Sequence, residues 1–287
     1  MKIISVAHSP DADDIFMYYA IKFGWVTPKG TKFENIALDI ETLNQATLKG
    51  VYDICAISFA LYPFVKDDYA LLKTAVSFGQ GYGPKLIKKK GTILKKNFKV
   101  ALSGEFTTNA LLFKIAYPNA RITYLNFLEI EEAVLNGTVD AGVLIHESIL
   151  TYNQELEVEK EMWDIWVELS GGDLPLPLGG MCLRRSIPLH DAINYENTLI
   201  KAVDVANKNR KVLSKMLLEK DLIRVNAETL DKYLDLYAND DSVKMRDIQY
   251  KALDKLYELG YKNGFYENLV KSQDFLIPSE YEELRAK

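Results

Sequence analysis

Apolar runs too short for helices alternate, in the first half of the chain, with segments whose apolar residues recur at helical spacing. Residues 2–8 form such a run, the loop Ser9-Pro-Asp-Ala-Asp-Asp14 follows, and residues 15–23 carry apolar side chains around a helix. The order is strand, loop, helix. After a turn at Thr27-Pro-Lys-Gly30, residues 37–41 predict a second strand and residues 42–50 a short helix closed by Gly50. Residues 54–57 are apolar again and predict a strand that delivers Ser58 and Phe59 at its end. The same order returns near residue 98: a strand over 99–102, the loop Ser103-Gly-Glu-Phe-Thr-Thr108, a helix over 109–116, a strand over 121–125, and a helix over 130–136 stopped by Gly137. Residues 141–145 are small or apolar and too few for a helix, which predicts a buried strand of a parallel sheet with His146 at its C-terminal end.

The unit helix, Gly, two residues, Asp, apolar strand thus occurs at Gly50 with Asp53 and again at Gly137 with Asp140. Two copies of one supersecondary order predict an α/β protein of two lobes built alike, with a cleft between them. After His146 the pattern weakens. Residues 155–161 are acidic and predict a solvated helix, and Trp163 and Trp166 stand at helical spacing for lobe packing. Leu174-Pro-Leu-Pro-Leu-Gly-Gly180 cannot be helix, because its prolines remove donors, so it predicts a crossover back to the first lobe with a returning strand over 179–183. From residue 191 onward amphipathic helices predict a shell on the first lobe, ending in a tail, Phe275-Leu-Ile-Pro278, tied down by its apolar residues. The expected division is 1–96 with 180–287 as the larger lobe and 97–179 as the smaller.

Ligands of open α/β sheets bind beyond the carboxyl ends of the strands. That rule selects Ser9, Asn44 and Ser58 in the first lobe, and Thr107, Thr108 and His146 in the second. Ser9 suits an N-cap and Pro10 the first helical position, while Asp11, Asp13 and Asp14 suit the positive end of the helix dipole. Asp14 or Asp13 is a candidate to orient a substrate or a loop as well. Thr107 and Thr108 at a helix N-terminus offer two hydroxyls and free N–H groups, which suits a carboxylate or phosphate. Capping alone explains one threonine but not two in succession. His146 is the best acid/base candidate by position, His8 ends a comparable strand, and His190 reads as surface. No nucleophile elbow, GxGxxG, P-loop or metal motif is present.

Composition narrows the class. The chain has 287 residues, 48% hydrophobic and 26% charged, the profile of a globular protein with a sizeable core. Its net charge of −5 disfavours a nucleic-acid surface. The one basic cluster, at Lys85, Lys88, Lys89 and Lys90 with Lys95, Lys96 and Lys99, reads as solvated surface near a linker, or else a funnel for anions. No apolar run is long enough to span a membrane and no leader pattern opens the chain, so a cytoplasmic location is expected. Cys55 and Cys182 lack metal-ligand spacing and are expected as reduced core thiols. No metal site is expected.

Four stretches together resemble a known family: Ser9-Pro-x-x-x-Asp14-x-Phe16, Glu41-Thr-Leu-Asn44, Ile145-His-Glu-Ser148 and Leu174-Pro-Leu-Pro-Leu-Gly179. They are similar to 1,4-dihydroxy-6-naphthoate synthases, the last dedicated enzymes of the futalosine route to menaquinone, in the right order over nearly the whole chain. The resemblance implies a type 2 periplasmic-binding-protein-like fold used as a cofactor-free lyase. It would convert cyclic dehypoxanthinyl futalosine to 1,4-dihydroxy-6-naphthoate and a three-carbon fragment. The family's base falls on His146, and its substrate contacts fall on Ala56, Ile57 and Ser58 and on Thr107 and Thr108. The chain departs from many relatives at Asp11, Ala12 and Asp13, where they read Cys-Pro-Asn, and at Ala56, where they carry Lys. A small anionic substrate is the implied partner, with the oligomeric state open. Two other functions fit the architecture: a binding protein for small anions, and the chorismate dehydratase of the same route, against which Ile-His-Glu-Ser weighs.

Overall fold

The computed structural model describes residues 1–172 and 174–278, which build two sheets. The first contains β1 (Lys2–His8), β2 (Thr31–Ala37), β3 (Ile54–Ser58), β4 (Tyr69–Leu71), β5 (Ser77–Gly79) and β11 (Leu176–Arg184). Its order is β2-β1-β3-β11-β4, with β5 paired to β11 as well. The second contains β6 (Lys85–Lys89), β7 (Lys99–Leu102), β8 (Arg121–Tyr124), β9 (Ala141–Leu144) and β10 (Leu156–Glu161), in the order β10-β6-β9-β7-β8.

Each sheet is parallel at its heart. β1 runs parallel to β2 and β3, and β7 runs parallel to β8 and β9. The repeated Gly-x-x-Asp has one physical role in both places. Gly50 (φ +62°) and Gly137 (φ +78°) take left-handed turns that end a helix, and the Asp three residues on accepts the N–H of the neighbouring strand. Asp53 Oδ2 accepts from Ser5 N–H and Ser5 Oγ, both at 2.9 Å, and Asp140 Oδ2 accepts from Lys99 N–H at 2.7 Å. Register follows directly: Val6 then faces Ile54, and Val100 faces Ala141. Asp53→Ala leaves the Ser5 N–H without its partner, and we expect a loss of about 1–2 kcal/mol, read as a lower urea midpoint at unchanged slope.

Helices α1 (Ala12–Lys22), α2 (Ile40–Leu48) and α3 (Tyr62–Val65) follow strands of the first sheet, and α4 (Thr108–Ala116), α5 (Ile130–Leu135) and α6 (Met162–Ser170) belong to the second. The shell consists of α7 (Leu189–Lys208), α8 (Arg210–Glu219), α9 (Ala227–Tyr237), α10 (Asp240–Val243) and α11 (Asp247–Lys262). α7, α8 and α9 pack on α1, while α11 spans β11 and α6, and so touches both halves. Trp166 is fully buried and its Nε1 donates to the Leu174 carbonyl at 2.6 Å, which pins α6 to the returning crossover. Cys55 and Cys182 face each other across β3 and β11 as buried free thiols; burial pushes Cys55 up to about 12 and Cys182 well above its usual value.

Several expectations are corrected. The second strand is Thr31–Ala37 rather than 37–41, because Asp39 caps α2 by accepting the Thr42 N–H at 3.1 Å and so starts the helix at Ile40. The acidic segment expected as a solvated helix is β10, whose Glu157 and Glu161 stand opposite Lys88 and Lys85 of β6. Lys88 Nζ lies 2.6 Å from Glu159 and 3.6 Å from Glu157. Two lysines of the cluster, Lys85 and Lys88, are thus neutralised by the partner strand. β6 pairs with β9 and β10 in the second sheet, and β11 belongs to the first sheet from Leu176. Ser9 does not cap α1; Asp11 holds the N-cap position without capping its own helix.

Candidate functional site

The C-terminal ends of β1, β3, β7 and β9 converge with the N-termini of α1 and α4 on one cavity, closed from the side by β11 and α9. It encloses about 710 Å³, its solvent-open mouth included, a volume suited to a small molecule.

His146 enters it from β9. The strand stops at Leu144, Ile145 is extended, and His146 itself adopts φ +54°, a left-handed turn that an L-residue holds only at some cost. The turn throws the imidazole out of the sheet. Nδ1 lies 2.5 Å from Asp11 Oδ2, the ring packs edge-on against Phe127 at 4.9 Å, and Nε2 has no protein partner. An Nδ1–H donated to a carboxylate fixes the tautomer and leaves the lone pair on Nε2. Burial alone would push this imidazole's pKa down. The charge and hydrogen bond of Asp11, with Glu147 and Asp13 behind, outweigh burial and raise it above 6.5. For Asp11 burial acts upward, and His146 outweighs it and holds the carboxyl below its usual range.

The two halves meet at this point. Glu147, next to His146, accepts the Ala12 N–H at 2.9 Å, so the second half caps the first half's α1. Arg224 reaches the other Glu147 oxygen at 3.5 Å and stacks over Phe127 at 5.2 Å. Asp13 Oδ2 accepts from Ser77 Oγ at 2.8 Å, and Asp14 Oδ2 accepts the Ser9 N–H at 2.8 Å. Burial, then the charge of Asp11, pushes Asp13 up to about 7, and the same causes with Asp13 added push Asp14 well above the carboxylate range. Asp11, Asp13 and Asp14 form, among the described residues, the one cluster whose oxygens lie close enough to hold a metal, within 4.8 Å of one another. One oxygen of each already has a protein partner: His146 for Asp11, the Ser77 hydroxyl for Asp13 and the Ser9 N–H for Asp14.

Ser9, Asp14, Ala56, Ile57, Ser58, Thr107, Thr108 and His146 all line the cavity. Asn44 does not. It sits behind Ser58, donating from Nδ2 to Ser58 Oγ at 3.1 Å and accepting the Ser58 N–H at 3.0 Å, which leaves the Ser58 hydroxyl proton free for a guest. Both threonine hydroxyl protons are committed. Thr107 Oγ donates to the Gly104 carbonyl and accepts the Ala110 N–H, while Thr108 Oγ donates to the Leu178 carbonyl and accepts the Ala60 N–H. What this end offers an anion is the first-turn N–H groups of α4, which have no carbonyl within their helix. His8 lies away from the cavity, with both ring nitrogens taken by the Ser9 carbonyl and Asn35, and burial lowers its pKa. His190 is exposed beside Asn194.

Sequence reasoning missed Asp11 as the partner of the base, and missed Ser77, Ser103, Asn109 and Tyr233 in the lining. Four buried polar atoms on residues of the lining lack a protein partner: Asp13 Oδ1, Ser103 Oγ, Asn109 Oδ1 and His146 Nε2. Buried polar atoms are rarely left so, and their grouping here marks a surface made to meet a polar guest. No helix among the described residues is long and apolar enough to cross a membrane.

Comparison with known proteins agrees with this geometry. A family model described as menaquinone biosynthesis matches residues 4–262. A 1,4-dihydroxy-6-naphthoate synthase of Streptomyces coelicolor is 28% identical over 257 residues, 87% of this chain and 90% of the relative. The crystal structure of a protein from Archaeoglobus fulgidus, 33% identical, superimposes with a TM-score of 0.85 over 91% of this chain and 98% of that one. At 12% identity, a Candida albicans gene product described as having the generic periplasmic binding protein fold gives a TM-score of 0.69 over 91% of each chain. The fold is that of the periplasmic binding proteins.

Proposed function

The chain belongs to the menaquinone biosynthesis family and is an enzyme, and from that premise we propose that it is a lyase acting on cyclic dehypoxanthinyl futalosine, with His146 as general base. One observation carries the reading. His146 lines the cavity with its Nε2 buried and partnerless, while Asp11 holds the opposite nitrogen. The guest's carboxylate lies against the first-turn N–H groups of α4 and the Ser58 hydroxyl, where the helix dipole favours negative charge. Neutral His146 removes a proton from the guest, cleavage releases a three-carbon fragment, and formation of the aromatic naphthoate drives the step.

Contacts across the cleft belong to this chemistry. Asp11 with His146, and the Ala12 N–H with Glu147, are made only when the two halves are together, so closure assembles the base and expels water in one movement. Incubating the pure protein with cyclic dehypoxanthinyl futalosine should yield 1,4-dihydroxy-6-naphthoate by absorbance. Saturable binding without product points instead to an anion-binding protein, and turnover of chorismate points to a dehydratase; either result contradicts the reading. Ser58→Ala removes one donor to the guest, and we expect KM to rise about tenfold with kcat within threefold, the mark of an interaction equal in ground and transition states.

A further inference from the structure

We propose that Asp13 is a second proton-transfer group of this site, a carboxylic acid that protonates the guest from the first half of the molecule while His146 deprotonates it from the second. The inference rests on the functional reading above and deepens it.

Each of the three acids of the loop is held through Oδ2, Asp11 by His146, Asp14 by the Ser9 N–H and Asp13 by the Ser77 hydroxyl on β5. Asp11 is paired with the base itself, and of the other two only Asp13 keeps a buried oxygen without a protein partner. Its Oδ1 is buried and has no protein partner, as is true of His146 Nε2, and both residues line the cavity. Two proton-active side chains thus line one space from opposite halves, one at the start of α1 and the other at the end of β9. Ser103 Oγ and Asn109 Oδ1, also buried and partnerless in that lining, show independently that the space is built for a polar guest.

The surroundings favour the acid form. Asp11 and Asp14 flank Asp13 on its own helix turn, His146 and Glu147 approach from the turn after β9, Tyr233 and Tyr237 from α9, and Tyr82 from the segment between β5 and β6. Burial and the Asp11 charge dominate, and they push the carboxyl up to about 7 despite the Ser77 hydrogen bond, which acts downward. A proton on Asp13 also removes a negative charge that would otherwise repel an anionic guest.

The proton balance closes without another reactant. The bond from a guest atom to hydrogen breaks and an N–H bond forms at Nε2. The electron pair left behind moves through the guest toward an oxygen, where the O–H bond of Asp13 breaks and a new O–H bond forms. After release, water carries the proton from imidazolium back to carboxylate. Nothing is oxidised or reduced.

The test is the pH dependence of kcat for the parent, Asp13→Asn and Ser77→Ala, with naphthoate formation as readout. The parent should give a bell, rising as His146 loses its proton and falling as Asp13 loses its own near pH 7. Asp13→Asn should lose about a hundredfold in kcat and the basic limb with it, at a KM within threefold. Ser77→Ala should move the basic limb to higher pH, a readout that survives even if the asparagine variant does not fold. A basic limb unchanged in either variant, an Asp13→Asn kcat within threefold of the parent, or a divalent cation bound by the parent and lost in Asp13→Asn would overturn the proposal. A parent that makes no naphthoate removes the functional reading and this inference together, whereas an active parent with a parent-like Asp13→Asn removes the inference alone.

Discussion

His146→Ala should lower kcat by at least about a hundredfold, the low end of what a positioned general base contributes. The loss should fall on kcat more than on KM, because the ring supplies a lone pair at Nε2 rather than an anchor for the anion. A complication lies in the backbone: position 146 is left-handed, at φ +54°, which alanine tolerates poorly. Asparagine enters that region readily and cannot act as a base, so His146→Asn separates the two effects. Both variants should melt cooperatively, and both should lose turnover. A variant within threefold of the parent would rule out the role of the imidazole.

Asp11→Asn should cost about tenfold to a hundredfold in kcat, since the amide keeps the shape but neither enforces the tautomer nor stabilises the imidazolium. Its effect on pH dependence is more specific. Asp11 is the largest cause raising His146, and after burial it is the largest raising Asp13 and Asp14. Removing its charge lowers all three, so the whole activity profile should slide toward acid. A profile that loses height without moving would contradict the electrostatic account.

The pair also leaves a signature in stability. Asp11 is held below 3.8, so its share is present above that value and falls away as pH drops through its folded pKa. His146 is raised above 6.5, so its share is fully present below 6.5 and falls away as pH rises through its folded pKa. Thermal melts across pH should show this window in the parent and a flatter one in Asp11→Asn.

Much of this architecture was legible from apolar runs. β1, β3, β7 and β9 are short, nearly continuous hydrophobic segments because they are covered on both faces, and the repeated Gly-x-x-Asp announced a repeated strand pairing. β10 was not legible, because its acids are answered by Lys85 and Lys88 on a strand far away in sequence. Local composition cannot reveal a charge partner that only the sheet supplies. The site divides the same way. His146 and Ser58 were found because they stand at strand ends. Asp11 read as a helix-dipole acid and Asn44 as a contact, since their actual partners, His146 and Ser58, are set by how the halves and the sheet meet. Spacing likewise suggested two free threonine hydroxyls, and folding committed both.

The most direct measurement is a crystal structure of the His146→Asn variant soaked with cyclic dehypoxanthinyl futalosine. The account predicts the guest between the two sheets, with its carboxylate on the N-terminus of α4, its reacting carbon facing position 146, and an oxygen within hydrogen-bonding distance of Asp13. A guest bound outside that cavity, or one whose reacting carbon points away from position 146, would contradict it.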